Sequence, residues 1–173
     1  MKTHSLSGSY EELLNNAQPL LKKGTVVLVR GLPGSGKSHL AEALRKLTDA
    51  EMNVCSADDY FMVDGEYKFD PSKLPEAHLQ CQSRTFASFS IDDMSFTANT
   101  FTMRWEMQQY LLFVETFGLN LLVLNLFDAG LTDEELAQRN VHGVPVQAIA
   151  QMRARFEHDW KSGDPRPPWE REG

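Results

Sequence analysis

The fold of this chain is decided by the stretch Gly31-Leu32-Pro33-Gly34-Ser35-Gly36-Lys37-Ser38, which matches the phosphate-loop pattern G-x-x-x-x-G-K-S. Residues 25–30 before it form a β-branched apolar run, and residues 38–47 carry apolar side chains at helical spacing. The pattern requires this order of strand, loop and helix. The stretch therefore predicts a loop that binds the phosphates of a nucleoside triphosphate.

The residue types of the loop fit a polyphosphate ligand. Glycines let the backbone wrap around the phosphates, and the N–H groups at the start of the following helix meet their negative charge. We expect Lys37 to reach the β- and γ-phosphates and the Ser38 hydroxyl to ligate Mg²⁺, so ATP and Mg²⁺ are the predicted ligands. The predicted nucleotide contacts are Gly31, Pro33, Gly34, Ser35, Gly36, Lys37, Ser38 and His39.

Composition narrows the classes of protein that fit. A chain of 173 residues is long enough for one domain with a core, and its two cysteines are too few for a disulfide framework or a zinc site. The net charge of −7 gives no overall basic footprint, which disfavours tight non-specific binding to nucleic acid but leaves a local basic groove open. Because the N-terminus is polar and no apolar run approaches transmembrane length, we expect a cytoplasmic protein without a signal peptide or membrane partner.

Strand and helix patterns alternate along the chain. The predicted strands cover residues 25–30, 53–56, 93–98 and 119–127, and the predicted helices cover 38–47, 74–89, 103–117 and 132–140, with a last helix that begins at Pro145. This alternation predicts an α/β fold: a P-loop NTPase-type three-layer sandwich, with a mostly parallel sheet, helices on both faces and a helical lid. We expect the P-loop kinase domain at residues 25–162, an N-terminal helical extension at 1–24 and a Pro-rich extended tail at 163–173. Ser9 and Glu12 form a capping box that opens the N-terminal helix, which is predicted to run to about Lys23.

A compact phosphotransferase fits this pattern better than a GTPase or a motor, because the chain is short and has no Asn-Lys-x-Asp guanine-reading motif. Such an enzyme needs a base near the acceptor, a cation over the transferring phosphoryl group and a lid that excludes water. Asp58 and Asp59 are the candidate bases, since they follow a predicted strand at the sheet edge where ligands bind. Arg139 lies in a predicted helical hairpin, where it can neutralise transition-state charge.

Other residues are candidates for contact with the acceptor. Arg84 and Arg104 are candidates to hold an acceptor phosphate. Tyr60 and Phe61 lie beside the candidate bases and, like Tyr67, are candidates to stack on a base or line its pocket. His142 follows Arg139 closely, but a lone histidine is more often structural.

An ordered series of motifs resembles the polynucleotide-kinase-like phosphate-loop family. After the loop, the series consists of residues 56–61 (SADDYF), 67–71 (YKFDP), 98–100 (ANT), 105–107 (WEM), 135–144 (ELAQRNVHGV) and 156–159 (FEHD). The resemblance spans about residues 25–160. It implies that Asp58 is the general base that activates an acceptor hydroxyl and that Arg139 lies over the triphosphate. It also implies an acceptor that is a nucleic acid or nucleotide, with Asp59 and Asn99 among the residues that bind it.

Two positions depart from the family pattern. Phe61 stands where phage kinases of this family carry an arginine that holds the acceptor phosphate, and Ala98 stands where an aspartate is usual. These departures fit an altered acceptor pocket, as in phage kinases that phosphorylate 5-hydroxymethyluracil in DNA. A small-metabolite kinase and a nucleotide-binding module without catalysis also stay open. Asp58 and Arg139 favour an enzyme, because binding alone requires neither a base nor a lid arginine.

Overall fold

The computed structural model describes residues 2–172 of the chain. Its strands are β1 (Thr3–Ser7), β2 (Thr25–Gly31), β3 (Met62–Val63), β4 (Glu66–Tyr67), β5 (Met94–Asn99) and β6 (Asn120–Phe127). Four of them form the central sheet in the order β1-β6-β2-β5, and its pairings are parallel. The other two, β3 and β4, form a small antiparallel hairpin.

Helices cover both faces of the central sheet. They are α1 (Tyr10–Ala17), α2 (Lys37–Lys46), α3 (Leu74–Ser88), α4 (Arg104–Phe117), α5 (Asp133–Arg139) and α6 (Val146–Arg155). Side chains of β2 alternate between two cores: Val27 and Val29 join the core under α1 and α2, and Val26 and Leu28 join the core under α4. This arrangement confirms the predicted three-layer α/β fold. Within residues 2–172, no helix is long and apolar enough to cross a membrane.

The predicted helical lid is formed by α5 and α6, which pack on each other and on the phosphate loop. Leu136 of α5 and Ile149 of α6 share a buried cluster with Leu32 of the loop. As the sequence predicts, Thr132 caps α5, and its hydroxyl accepts a hydrogen bond from the Glu135 backbone N–H at 3.2 Å. The lid is therefore attached to the loop through a shared apolar core.

Within residues 2–56, the observed elements differ from the predicted ones in three places. The N-terminal residues contain the edge strand β1 as well as a helix, and sequence patterning misses β1 because its side chains are mostly exposed. The first helix ends at Ala17 rather than near Lys23, since Pro19 starts a 3-10 turn at Gln18–Leu20. The strand predicted at 53–56 is reduced to a single bridge between Cys55 and Thr97.

Candidate active site

The phosphate loop joins the end of β2 directly to the start of α2. Gly34 and Gly36 have φ angles of +83° and +96°, in the left-handed region that glycine adopts without strain. A Cβ atom on Gly34 would overlap the backbone carbonyl oxygen of Leu136 in the lid. The loop backbone and the lid backbone are therefore so close at this point that only glycine fits.

Lys37 is the first residue of α2 and is half-buried. Protein atoms crowd the Lys37 ammonium group, and this burial lowers its pKa from 10.5 to about 8, while the negative charge of Asp58 acts in the opposite direction. The ammonium group is still mainly protonated at neutral pH. The site thus holds a positive charge that is poorly solvated, and phosphate oxygens are suited to compensate it.

The remaining loop residues lie between the end of β2 and the first turn of α2. Ser35 is 2% exposed, and its hydroxyl has no hydrogen-bond partner in the described chain. Ser38 and His39 are exposed, whereas Gly31 and Pro33 are buried. A buried hydroxyl without a partner is unfavourable, so the enclosed Ser35 hydroxyl is an unsatisfied polar group of the loop.

The residues near the loop fit Mg²⁺ only as an ion that is shared with a nucleotide. Within residues 2–172, no group of three or more His, Cys, Asp or Glu side chains is arranged to hold a metal ion. Mg²⁺ usually keeps several waters and binds one or two protein oxygens together with substrate phosphates. The exposed Ser38 hydroxyl is an oxygen ligand of this kind.

Asp58 and Asp59 lie in a 3-10 turn at Ala57–Phe61. Ser56 caps this turn, and the Asn99 side-chain oxygen at the end of β5 accepts a hydrogen bond from the Ala57 backbone N–H at 2.9 Å. Asn99 is 5% exposed, and its amide nitrogen faces Cys81 at 3.7 Å. In this structure Asn99 positions the turn that carries Asp58, and the predicted contact between Asn99 and the acceptor stays a prediction.

Asp58 is held by residues from two other parts of the chain, and we call Asp58, Tyr67 and His142 the Asp58 cluster. The Tyr67 hydroxyl donates a hydrogen bond to Asp58 Oδ1 at 3.0 Å. His142 Nε2 lies 3.5 Å from Asp58 Oδ2, and the His142 ring packs on the Tyr67 ring with 4.1 Å between centroids. Burial, reinforced by the charge of Asp58, raises the pKa of Tyr67, so its hydroxyl stays a donor at neutral pH. The carboxylate is thus oriented by the hairpin and contacted by the lid.

Arg139 lies above the phosphate loop, as predicted for a lid arginine. Its Nη2 atom is 3.7 Å from the position of a Cβ atom built on Gly36. The Arg139 side chain is exposed and forms no ion pair with another residue of the described chain. Its guanidinium group is therefore available to an anion bound at the loop.

The aromatic candidates beside Asp58 are placed differently from the prediction. Phe61 is 2% exposed and packs edge-on against Tyr60 and Phe69. Its ring belongs to a small core with Ala57 and Ala77, and its predicted contact with the acceptor stays a prediction. The Tyr60 hydroxyl donates to the carboxylate of Glu76 at 2.7 Å, which ties Tyr60 to α3.

The two arginines predicted to hold an acceptor phosphate are both engaged elsewhere. Arg84 forms an exposed ion pair with Asp59, with 3.0 Å between Nη1 and Oδ2. Arg104 donates a hydrogen bond to the backbone carbonyl of Lys161, beside the C-terminal segment. Within residues 2–172, no side-chain hydrogen bond or ion pair joins Arg84, Arg104 or Asp59 to the Asp58 cluster.

Sequence reasoning missed Arg30, the residue immediately before the loop. Arg30 is fully buried and donates to the backbone carbonyls of Phe101, Thr102 and Glu157 at 2.8–3.1 Å. Its guanidinium group also lies over the Phe156 ring, and burial lowers its pKa to about 10. Arg30 therefore ties the end of β2 to the residues after β5 and to the C-terminal segment. The available signal was a single charge inside an otherwise apolar strand.

Comparisons with known proteins identify the family and the fold of this chain. The profile of the AAA domain family matches residues 26–158. NEDD4-binding protein 2 from Homo sapiens is 35% identical to this chain over 134 residues, which are 76% of this chain but only 8% of that protein. A chain in the solved structure of the Pnkp1/Rnl/Hen1 RNA repair complex has a similar fold, with a TM-score of 0.54 and 19% identity, and the match covers 83% of this chain and 47% of that one. On the strength of the family match, this chain belongs to the AAA domain family and has a kinase-like phosphate-loop fold.

Proposed function

We propose that this protein is an ATP-dependent kinase that transfers the γ-phosphoryl group to a hydroxyl of a nucleic acid or nucleotide. The observation that carries this proposal is the Asp58 cluster beside the phosphate loop. A module that only binds nucleotide does not require a carboxylate that is oriented by Tyr67 and lies close enough to Lys37 to affect the pKa of its ammonium group. A phosphotransferase needs such a group to take the proton of the attacking hydroxyl.

Each charged residue of the site has one role in this reaction. Lys37, the Ser35 hydroxyl and the helix N-terminus would hold the triphosphate, and the Ser38 hydroxyl would hold Mg²⁺, which would neutralise phosphate charge. The acceptor hydroxyl gives its proton to Asp58 as its oxygen bonds to the γ-phosphorus. The bond between that phosphorus and the β–γ bridging oxygen breaks, and ADP leaves with the bridging oxygen. Arg139 stabilises the charge on the transferring group.

The proposed class of acceptor follows from the motif series, the fold and the residues around Asp58. The motif series resembles polynucleotide-type kinases, and the fold is similar to that of a chain from an RNA repair complex. The engaged positions of Arg84 and Arg104 and the burial of Phe61 disfavour tight contact with a phosphate next to the reacting hydroxyl. We therefore propose an acceptor that binds mainly through its hydroxyl-bearing group, and a base hydroxymethyl group in DNA stays a prediction of the sequence.

Labelled ATP offered with a panel of acceptors tests the proposal. The panel contains a 5′-hydroxyl oligonucleotide, duplex DNA with 5-hydroxymethyluracil, and free nucleosides. We expect label on one member, lost in Lys37→Ala and kept in Lys46→Ala, which removes an exposed lysine of the same helix. If ATP binds but no acceptor is labelled, the nucleic-acid and nucleotide assignment fails, and a small-metabolite kinase or a silent nucleotide-binding module replaces it.

A further inference from the structure

Arg153 of α6 binds the chain segment that leads into the lid helix α5. Its Nη1 atom donates to Asp128 Oδ2 at 2.5 Å, and its Nε atom donates to Asp133 Oδ1 at 2.8 Å. Its Nη2 atom donates to the backbone carbonyl of Leu131 at 2.9 Å. The Arg153 side chain is 30% exposed and both carboxylates are 22% exposed, so water screens these ion pairs only in part. All three guanidinium nitrogens therefore hold the chain between the end of β6 and the start of α5.

The segment that Arg153 holds has an unfavourable backbone conformation. Phe127 and Ala129 have φ angles of +50° and +54°, in the left-handed region that residues other than glycine rarely adopt. Such a conformation persists where the surrounding contacts impose it. Here the Phe127 carbonyl accepts a hydrogen bond from the Leu32 backbone N–H of the phosphate loop at 2.8 Å, and the Arg153 guanidinium lies 5.2 Å from the centre of the Phe127 ring. Arg153 and the phosphate loop therefore hold the same segment in place.

The position of Arg139 depends on this segment through α5. Arg139 is the last residue of α5, about two helical turns from the end that Arg153 holds. Its side chain is exposed and forms no ion pair within residues 2–172, so its place above the loop follows from the helix backbone that carries it. The apolar cluster around Leu136 keeps α5 on the loop, but apolar contact is non-directional. The hydrogen bonds from Arg153 supply a direction to the start of the helix.

We infer that Arg153 is a positioning residue for phosphoryl transfer, because it fixes the start of α5 so that Arg139 at the other end lies above the phosphate loop. The inference rests on the proposed role of Arg139 in stabilising the transferring group. It gives Arg153 no contact with the nucleotide or the acceptor. Without Arg153, two partly buried carboxylates lose their partner and the strained segment is free to relax, so Arg139 loses its fixed distance from the phosphates.

Binding of ADP with Mg²⁺ and tetrafluoroaluminate, a mimic of the transferring phosphoryl group, tests the inference without an acceptor. We expect Arg153→Ala to weaken the binding of this mimic about tenfold, while the affinity for ADP alone stays nearly unchanged. Arg153→Lys keeps the charge but not the three directed hydrogen bonds, so it should recover only part of the loss. Arg155→Ala removes an exposed arginine at the end of the same helix and should leave the binding of the mimic unchanged.

A double-mutant cycle distinguishes positioning from a merely structural role. Because the effect of Arg153 passes through Arg139, Arg153→Ala should cause no further loss of mimic binding in an Arg139→Ala background. Asp133→Asn provides the same test if Arg153→Ala does not fold, since it removes one of the ion pairs and keeps the size of the side chain. It should cause a smaller loss of mimic binding than Arg153→Ala, and this loss should also vanish in the Arg139→Ala background.

Three results overturn the inference. The first is an equal loss of affinity for ADP alone and for the mimic. The second is a loss in Arg153→Ala or Asp133→Asn that persists undiminished in the Arg139→Ala background. The third is a wild-type protein that binds ADP no more tightly with tetrafluoroaluminate than without it. Failure of the proposed function shows separately, as absent labelling of every member of the acceptor panel by the wild-type protein.

Discussion

Replacing Lys37 by methionine should stabilise the folded protein while it abolishes nucleotide binding. Methionine keeps the length of the side chain and removes a crowded charge. The lowering of the Lys37 pKa from 10.5 to about 8 corresponds to about 3 kcal/mol if it is fully expressed. Because Lys37 is only half-buried, water screens part of this penalty, and we expect a gain of about 1–2 kcal/mol in the free energy of unfolding at pH 7.

The pH dependence gives the same prediction a sharper form. Between about pH 8 and pH 10.5, the unfolded chain keeps the Lys37 proton that the folded protein has lost. The wild-type protein therefore gains stability relative to Lys37→Met as pH rises through this window. Urea unfolding at pH 7, 8, 9 and 10 measures the difference in the free energy of unfolding between Lys37→Met and the wild type. This difference should shrink steadily as pH rises. Lys46→Met is the control and should show no such trend, since Lys46 is exposed on the same helix.

Two results would refute this reasoning. If the Lys37→Met variant is no more stable than the wild type at pH 7, burial does not disfavour the charged ammonium group in the folded state. A stability difference that stays constant to pH 10 would mean that the strain does not come from the Lys37 charge. ATP added to both proteins should stabilise the wild type only, because the lysine is needed to hold the phosphates.

Three further substitutions follow from the same site. Gly34→Ala should destabilise the protein by about 1–3 kcal/mol and weaken ATP binding, because alanine is strained at positive φ and its Cβ overlaps the Leu136 carbonyl. Thermal unfolding measures the stability, and ATP titration measures the affinity. An unchanged melting temperature would contradict the close contact between the loop and the lid. Tyr67→Phe should lower the rate of γ-phosphoryl transfer about tenfold at unchanged ATP affinity, because Asp58 loses one hydrogen bond. A wild-type transfer rate in this variant would show that Tyr67 does not orient the Asp58 carboxylate. Arg139→Ala should lower the transfer rate about 100-fold or more in single-turnover kinetics, and a loss confined to ATP affinity would place the guanidinium group in binding alone.

Much of the fold follows from local sequence patterns. The loop motif predicts a strand, a turn and a helix in order, and the apolar run at 119–127 predicts the buried strand β6. The capping boxes at Ser9 and Thr132 give the starts of α1 and α5, because the cap and its partner lie three residues apart. The edge strand β1 has no such signal, since its exposed side chains show no alternation and its pairing with β6 joins distant parts of the chain.

The site is predictable only where its geometry is local. Asp58 and Arg139 are predicted from their positions after a predicted strand, which the structure reduces to a single bridge, and in a lid hairpin. The inward turn of Phe61 and the engagement of Asn99 with Ala57 depend on how a 3-10 turn packs on α3 and β5, which adjacent residues do not reveal. Tyr67 and His142 meet Asp58 from separate segments, so their roles emerge only from the three-dimensional contacts.

The central claim is that Asp58 is the base of a phosphotransferase, and single-turnover transfer by Asp58→Asn tests it most directly. Asparagine keeps the size of the side chain but cannot take a proton at neutral pH. The measurement compares the rate of γ-phosphoryl transfer to the labelled acceptor in the wild type, in Asp58→Asn and in Asp64→Asn, a control at an exposed hairpin residue. The account predicts a loss of about 100-fold or more in Asp58→Asn, with ATP affinity nearly unchanged and Asp64→Asn at the wild-type rate. Transfer by Asp58→Asn at the wild-type rate would contradict it.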